Sequence, residues 1–262
     1  MNKDNLIKYY NKFNEDKRFN SRHGKIEYIT SLKYIYKYLS KMNNPKILDI
    51  GAGTGKYSIK LANDGYDVTA VELVKHNIRV IEKKCDKVKT YLGNAIDLSV
   101  YKDNFFDLVL LFGPMYHLIS EKDKIKALNE AKRVTKKGGI IMVAYIMNEY
   151  AVLTHGFIDN NIKKSIKDNL VDNNFHITPK SDDLYSYVRI ADINKYNKIV
   201  KLKRAKILTP DGPANYIRAL LNKMDEETFK IFLDYHLKTC EKKELLGASA
   251  HILDILKKEN NT

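Results

Sequence analysis

The feature of this sequence best suited to bind a ligand is a set of three closely spaced glycines. They lie in Gly51-Ala-Gly53-Thr-Gly55, directly after the apolar run Lys46-Ile-Leu-Asp49-Ile. Glycine adopts positive φ angles and lacks a Cβ, so a turn built from it brings backbone amides close to a ligand. A helix that begins after the turn adds its own unpaired amide donors. The segment therefore predicts a site for a nucleotide-like molecule.

The spacing of these glycines restricts which ligand fits. A dinucleotide-binding turn reads G-x-G-x-x-G, whereas here the third glycine comes one residue early and Lys56 holds the sixth position. The phosphate-binding pattern G-x-x-x-x-G-K-[ST] is also absent from the sequence here, because Tyr57 follows Gly55-Lys56. The pattern thus disfavours a dehydrogenase.

Side chains at the ends of later strands could contribute further contacts to the ligand of this loop. Glu72 ends an apolar run, where a carboxylate can accept hydrogen bonds from both hydroxyls of a ribose. Asn94, in the loop after the next strand, can bond the edge of a purine, and Ile96 can cover its face. A further strand ends in the sequence Phe112-Gly-Pro-Met-Tyr-His-Leu118. All these segments are predicted to lie at the carboxyl ends of strands.

The elements that carry these residues alternate between strand and helix. Strands are predicted at residues 46–50, 67–72, 88–92, 106–112 and 140–145, and helices at 24–40, 56–63, 75–84 and 121–135. Such alternation indicates an α/β fold with a doubly wound, Rossmann-like sheet and helices on both faces. Ligands bind such sheets at the rim formed by the carboxyl ends of the strands.

The second half of the chain has a looser pattern. We expect a helical stretch at 151–173, strands at 184–190, 199–208 and 248–256, and a helix at 216–238. A late antiparallel hairpin would then complete a mostly parallel sheet. We divide the chain into an N-terminal helical segment or lid (1–45), a ligand-binding core (46–148), a small inserted cap lobe (149–198) and a C-terminal part that completes the sheet (199–262).

In this order the motifs resemble those of the class I S-adenosylmethionine (SAM)-dependent methyltransferases, over residues 22 to 258. The resemblance implies that SAM is the cofactor, with S-adenosylhomocysteine as the product. The residues implied to bind SAM are Asp49, Gly51, Ala52, Gly53, Gly55, Glu72, Leu73, Asn94, Ala95, Ile96, Phe112 and Gly113. The family more often has Asp where Asn94 stands, and an amide can still bond adenine.

The resemblance extends to a bacterial branch that methylates small molecules such as ubiquinone and menaquinone precursors. It rests on the 113–118 segment, the inserted lobe and the closing Gly247-x-Ser249-x-His251. This family often folds an N-terminal segment over the cofactor, so Tyr10 or Arg22 is expected to cover the methionine end of SAM. Packing of the N-terminal aromatic residues onto the domain is the open alternative.

The implied reaction is an in-line displacement in which a small-molecule N, O, S or C nucleophile takes the methyl group. Much of the catalysis can then be positioning of the two reactants. If the nucleophile must lose a proton, His117, beside Tyr116, is our first candidate for the base. A helix-capping or pocket-lining role for His117 stays open. The histidines and cysteines lack metal-binding spacing, so no metal site is expected.

The net charge of +14 suits a polyanionic partner, so an RNA methyltransferase is one alternative. The lysines are scattered, however, and the 112–115 segment lacks the Asn/Asp-Pro-Pro-Tyr/Phe motif of enzymes that methylate exocyclic base amines. A second alternative is a SAM-binding sensor or scaffold without transferase activity. With two isolated cysteines, no membrane-spanning run and no signal-peptide pattern, we expect a cytoplasmic protein.

Overall fold

A computed structural model describes residues 6–7 and 21–259. Its centre is a seven-stranded sheet in the order β3-β2-β1-β4-β5-β7-β6. The strands are β1 (Lys46–Ile50), β2 (Asp67–Glu72), β3 (Lys89–Leu92), β4 (Phe106–Leu111), β5 (Thr135–Ile146), β6 (Lys203–Leu208) and β7 (His251–Lys257). Strands β1 to β5 pair in parallel, whereas β7 runs antiparallel to both β5 and β6. The predicted fold class is confirmed, including the late antiparallel hairpin.

Helices connect the strands and cover the sheet. They are α1 (Arg22–Leu39), α2 (Lys56–Asn63), α3 (Lys75–Lys84), α4 (Pro114–His117), α5 (Glu121–Val134), α6 (Asn148–Ala151), α7 (Ile162–Lys167), α8 (Ile190–Val200), α9 (Arg218–Lys223) and α10 (Glu226–Thr239). Helix α6 continues as a π-helix (Val152–Ile158), and a short 3₁₀ turn (Lys243–Leu245) precedes β7. Across residues 6–7 and 21–259, the structure contains no helix both long and apolar enough to cross a membrane.

The two faces of the sheet bury separate apolar clusters, and this explains the nearly unbroken apolar sequence of the central strands. In β1, Leu48 and Ile50 belong to the cluster under α5, which contributes Ala127. Ile47 belongs to the opposite cluster, together with Leu61 of α2. A parallel strand covered on both faces needs apolar side chains on both. This packing fixes the carboxyl ends of β1 and β4 next to each other.

The second half of the chain departs from the expected elements. Residues 184–190 form no strand: Val188 makes a single bridge to Met147, and α8 begins at Ile190. The predicted 199–208 strand is shorter because α8 ends at Val200, where Lys201 takes a left-handed φ of 53°. Residues 184–190 pair too little with the sheet for their aromatic and β-branched residues to decide their structure, whereas residues 203–208 pair with β7.

The expected helix at 216–238 is two helices. Asp225 separates α9 from α10, because its side chain accepts a hydrogen bond from the Thr228 amide at 2.8 Å and so caps the second helix. Strand β5 also begins earlier than expected, at Thr135, which pairs with Phe106. The residues between β5 and β6 form α6, the π-helix, α7 and α8. We keep the name cap lobe for residues 149–198.

Candidate active site

A cavity opens where β1, β2 and β4 end. Strand β1 has β2 on one side and β4 on the other, so the chain order reverses at this point of the sheet. Open α/β sheets bind ligands in the crevice formed at such a reversal. The glycine loop, the end of β2, the loop after β3 and the segment after β4 all contribute to the lining.

The glycine loop is a tight turn that only glycine can make. Gly51, Gly53 and Gly55 have φ angles of 73°, 55° and 84°. A Cβ on Gly51 would lie 2.5 Å from Cδ of Pro114, the first residue of α4. The Gly51 amide donates to the Val71 carbonyl at 2.7 Å, which ties the turn to β2. The loop is therefore pressed between two strand ends, with its backbone facing the cavity.

Glu72 places a buried carboxylate beside this loop. Its side chain is 6 % exposed and lines the cavity. Oε2 accepts a hydrogen bond from the Gly53 amide at 2.8 Å, and Oε1 accepts one from the Val74 amide at 2.9 Å. These two hydrogen bonds orient the carboxylate at the edge of the cavity.

Two further polar side chains stiffen the same end of the cavity. Asp49, 2 % exposed, accepts a hydrogen bond from the Ser58 hydroxyl at 2.5 Å and so joins β1 to α2. Asn94 Oδ1 accepts from the Ile96 amide at 3.2 Å, which closes an Asx turn after β3. Asp49, Asn94 and Ala95 line the cavity. Ile96 instead packs against the core under α5.

The other end of the cavity is lined by aromatic rings. Tyr116 and His117 come from α4, and Tyr185 comes from the cap lobe. His117 is 5 % exposed, and its Nδ1 lies 2.8 Å from the Leu184 carbonyl, to which it donates. Burial lowers the pKa of His117 from 6.5 to about 4, so the ring is neutral at physiological pH. A neutral ring that donates from Nδ1 carries its lone pair on Nε2.

A second histidine at this end is held by a carboxylate. His251 begins β7, opposite Ile146 at the carboxyl end of β5, and lines the cavity. Its Nδ1 lies 2.7 Å from Oδ2 of Asp211, which follows β6 and is fully buried. The His251 and Tyr116 ring centroids are 5.6 Å apart. Oxygen or nitrogen atoms of Asp211, His251 and Glu27 of α1 all lie within 4.8 Å of one another.

Comparison with known proteins assigns this arrangement to a family. Residues 48–143 match the model of the methyltransferase domain family. The ubiquinone biosynthesis O-methyltransferase of Rickettsia typhi is 29 % identical over 205 residues, covering 68 % of this chain and 81 % of that protein. We identify the chain as a class I SAM-dependent methyltransferase.

Two further proteins that resemble this methyltransferase are also methyltransferases by name. The demethylmenaquinone methyltransferase of Renibacterium salmoninarum is 34 % identical over 99 residues, 38 % of this chain and 40 % of that protein. The crystal structure of a SAM-dependent methyltransferase from Methanosarcina mazei superposes with a TM-score of 0.59 at 17 % identity. That superposition covers 86 % of this chain and 97 % of the other, so the two proteins share the fold.

The cofactor of the methyltransferase is SAM, and the residues at the first end of the cavity fit it. The buried Glu72 carboxylate suits a ribose diol, and Gly51 and Gly53 of the loop line the cavity beside it. Lining by Leu73, Asn94 and Ala95 suits an adenine ring, with an amide at its edge. Ala52, Phe112 and Gly113 complete the wall between the two ends of the cavity.

Four of the residues expected to contact SAM lie elsewhere, or outside the described part of the chain, and the first of them is Ile96, which packs against the core. The guanidinium of Arg22 donates to the Leu221 carbonyl at 3.3 Å and lies 5.2 Å from the centre of the Phe229 ring, so it joins α1 to α9 and α10. Gly55 caps α2 and faces Ile59 and Ile81. Tyr10 lies outside the described residues.

No local motif marks Glu27, Asp211 and His251 as a group. Asp211 and His251 are 40 residues apart, and they meet only because β6 and β7 pair as neighbours. Asp211 stands in the turn Thr209-Pro-Asp-Gly212, where an acid ordinarily serves the turn itself. The signal that could have indicated a role for His251 was its position at a strand end opposite Ile146. That position can be recognised only when the order of the strands is known.

Proposed function

We propose that this methyltransferase transfers a methyl group to a hydroxyl oxygen of a small aromatic or quinone-type molecule. The observation that carries the proposal is the second end of the cavity, which continues past the glycine loop into a space lined by Tyr116, His117, Tyr185 and His251. Aromatic walls suit a flat, apolar ring, and imidazole nitrogens suit its hydroxyl groups. The Rickettsia relative is named as an O-methyltransferase of ubiquinone biosynthesis, which supports the same acceptor class.

The charges of the lining disfavour an anionic acceptor. Lys56 is the only lysine or arginine among the described residues that line the cavity. It begins α2 beside the glycine loop, and its Nζ lies 5.0 Å from the centre of the Tyr28 ring. An amino acid, a phosphorylated metabolite or a nucleic acid would need a cation near the aromatic end of the cavity to pair with its anionic group. An uncharged aromatic hydroxyl has no such requirement.

SAM, when bound, supplies a methyl group already activated by its sulfonium sulfur. The residues of the chain then act by binding the acceptor in line with that methyl group and by excluding water. Ideal alignment of two reactants lowers a barrier by up to about 7 to 11 kcal/mol. We assign Tyr116 and His117 to this positioning: the Tyr116 ring packs beside the acceptor, and the neutral His117 accepts a hydrogen bond from a hydroxyl.

The test is methyl transfer from isotope-labelled SAM to a panel of acceptors. The panel contains catechol, a substituted hydroquinone, phenethylamine, glycine and a short RNA. We expect label in the two hydroxyl compounds, with kcat/KM at least about tenfold above that for the amines, and none in the RNA. A Glu72→Ala variant is the control for transfer that does not need the SAM site. Preferential labelling of an amine or of the RNA would overturn the proposal.

A further inference from the structure

We infer that His251 is the general base that takes the proton from the acceptor hydroxyl and that Asp211 is the residue that positions it. The inference rests on the proposed function, because only an acceptor that must lose a proton needs a base. It differs from the sequence-based hypothesis, which gave this task to His117. Four features of the structure favour His251.

The first feature is the environment of Asp211, which fits a carboxylate that orients another group. Oδ2 accepts hydrogen bonds from His251 Nδ1 at 2.7 Å and from Asn215 Nδ2 at 2.6 Å. Oδ1 accepts from the His251 backbone amide at 3.1 Å and, more weakly, from the Thr209 hydroxyl at 3.4 Å. The roughly four lone-pair sites of the carboxylate are therefore all occupied. Asp211 is fixed in place and holds both the backbone and the ring of His251.

The second feature is the tautomer that this contact imposes. Because Asp211 accepts from Nδ1, the neutral ring of His251 carries its proton on Nδ1 and its lone pair on Nε2. Nε2 lies on the ring edge away from Asp211. His251 lines the cavity, whereas Asp211 is fully buried behind it. The basic nitrogen is thus on the side of the ring where the acceptor binds.

The third feature is the nearby negative charge. When Nε2 takes a proton, the ring becomes an imidazolium, and a buried carboxylate 2.7 Å from Nδ1 stabilises that charge. Glu27, 8 % exposed, adds a second carboxylate within 4.8 Å. His117 has a neutral carbonyl at the corresponding position, and burial lowers its pKa to about 4. His251 is therefore the better base of the two.

The fourth feature is location. His251 Cα pairs with Ile146 at the carboxyl end of β5, and Ile146 itself lines the cavity. The ring lies beside that of Tyr116, which belongs to α4, the helix that follows β4. The base therefore lies at the aromatic end of the cavity, beside Tyr116.

The proton and electron balance of the step is simple. The acceptor O–H bond breaks, its proton goes to His251 Nε2, and the oxygen electron pair forms the new O–CH₃ bond. The electrons of the broken C–S bond remain on sulfur. The imidazolium then returns its proton to water, so His251 is ready for the next turnover.

The same three side chains, Glu27, Asp211 and His251, are of kinds that bind divalent metal ions. The full hydrogen bonding of Asp211 argues against that use, since its oxygens have no lone pair left for a metal. Metal binding is nevertheless an outcome that the experiment must separate. Methyl transfer is therefore measured with enzyme treated with EDTA, with and without added Mg²⁺ or Zn²⁺. A requirement for metal distinguishes a metal site from general-base catalysis.

The decisive experiment compares two acceptors that differ in acidity. Catechol is protonated at neutral pH, whereas the nitro group of 4-nitrocatechol ionises one hydroxyl to a large extent. Loss of the base should therefore slow the methylation of catechol strongly and that of 4-nitrocatechol only slightly. We expect His251→Gln to lower kcat on catechol by about 10²-fold or more and on 4-nitrocatechol by less than about tenfold. Asp211→Asn should show the same difference, because an amide next to Nδ1 favours the wrong tautomer.

His117→Gln is the matched control, since His117 also lines the cavity and also donates from Nδ1. We expect it to affect both acceptors equally. Calorimetric SAM affinity should remain within about twofold of wild type in each variant, and the ¹⁵N spectrum of labelled histidines should lose one Nδ1–H tautomer signal in Asp211→Asn. Equal losses on both acceptors in the His251 and Asp211 variants, or activity that requires an added metal, would overturn the inference. Failure of the wild type on both acceptors and on the substituted hydroquinone would instead overturn the proposed function.

Discussion

Glu72 holds the amide of Gly53 with its Oε2 at 2.8 Å, across the gap between the end of β2 and the turn after β1. The same carboxylate also accepts from the Val74 amide at 2.9 Å. One side chain thus fixes the shape of the glycine loop and also lines the cavity. The relationship makes Glu72 both a structural and a cofactor-binding residue in our account.

The first prediction concerns the Glu72 carboxylate. Glu72→Ala removes two hydrogen bonds to a ribose, each worth about 1.5–3 kcal/mol when the acceptor is charged. We therefore expect the dissociation constant for SAM to rise by about 10²-fold or more in calorimetry. Glu82→Ala, which removes an exposed acid of α3, is the control and should leave SAM affinity unchanged. Wild-type affinity in Glu72→Ala would remove Glu72 from the SAM site.

A second prediction uses two glycines with positive φ. Gly51→Ala and Gly65→Ala both force an alanine into left-handed backbone, at φ of 73° and 93°. Only the first also brings a Cβ within 2.5 Å of Pro114, whereas a Cβ on Gly65 meets nothing within 4 Å. Each strain costs about 1 kcal/mol or more of unfolding free energy.

Urea unfolding and SAM titration distinguish the two variants. We expect Gly65→Ala to lose only the strain energy and to bind SAM normally. Gly51→Ala should lose more stability, since Pro114 must move, and should bind SAM at least about tenfold more weakly. If Gly51→Ala bound SAM as the wild type does, the loop backbone would not form the binding surface.

The third prediction concerns the buried Lys124 of α5, whose side chain is 2 % exposed. Its ammonium donates to the carbonyls of Leu118 and Ile119 and, at 2.7 Å, to the Ser186 hydroxyl. It thereby joins the segment after α4 to the cap lobe. Burial lowers the pKa of Lys124 to about 8.

Lys124→Met keeps the length of the side chain and removes these hydrogen bonds. Buried acceptors left without a partner cost about 1–3 kcal/mol each, so unfolding free energy should fall. Because Tyr116 and Tyr185 flank this contact, we expect KM for the acceptor to rise at least about threefold while SAM affinity stays constant. Lys126→Met, at an exposed position of the same helix, is the control. A change in SAM affinity alone would contradict the assignment of this segment to the acceptor end.

The fourth prediction is a pH dependence of stability. In the folded state burial lowers the pKa of His117 from 6.5 to about 4. Below pH 6.5 the unfolded chain therefore binds a proton that the folded chain does not, and stability is lost as the pH falls toward 4. The full difference corresponds to about 3 kcal/mol.

Urea unfolding of wild type and His117→Gln, at pH 6.5 and at pH 4, measures this contribution. The variant should lose less stability between the two values than the wild type does. His155→Gln, which changes a histidine with a 71 % exposed side chain, should behave as the wild type. Identical losses in the wild type and His117→Gln would mean that His117 is not buried in its neutral form.

The sequence predicted the first half of the fold well because local signals and tertiary packing agree there. The central strand at 106–112 is apolar throughout since both its faces are covered, and helices with an apolar stripe separate the parallel strands. The segment at 184–190 was assigned wrongly. Its aromatic and β-branched residues resemble a strand, but Tyr185 faces the cavity and only Val188 reaches the sheet.

The cavity likewise has one group of residues that the sequence predicted and another that it did not. Glu72 and the glycine loop are close in sequence to the strands that position them, so their spacing was enough to predict a nucleotide-like ligand. Asp211 and His251 meet through the antiparallel neighbours β6 and β7, and no short motif encodes that pairing. Arg22 shows the reverse: its position just before the predicted helix at 24–40 suggested a contact with SAM, but its guanidinium contacts Leu221 of α9 and Glu226 of α10.

The central claim is that the cavity between the glycine loop and Glu72 binds SAM. The most direct test is a calorimetric titration of the wild-type chain with SAM, S-adenosylhomocysteine, NAD and ATP. We predict one site per chain for SAM and for S-adenosylhomocysteine, competition between the two, and no measurable heat for NAD or ATP. Binding of NAD or ATP at this site, or no binding of SAM by folded protein, would contradict it.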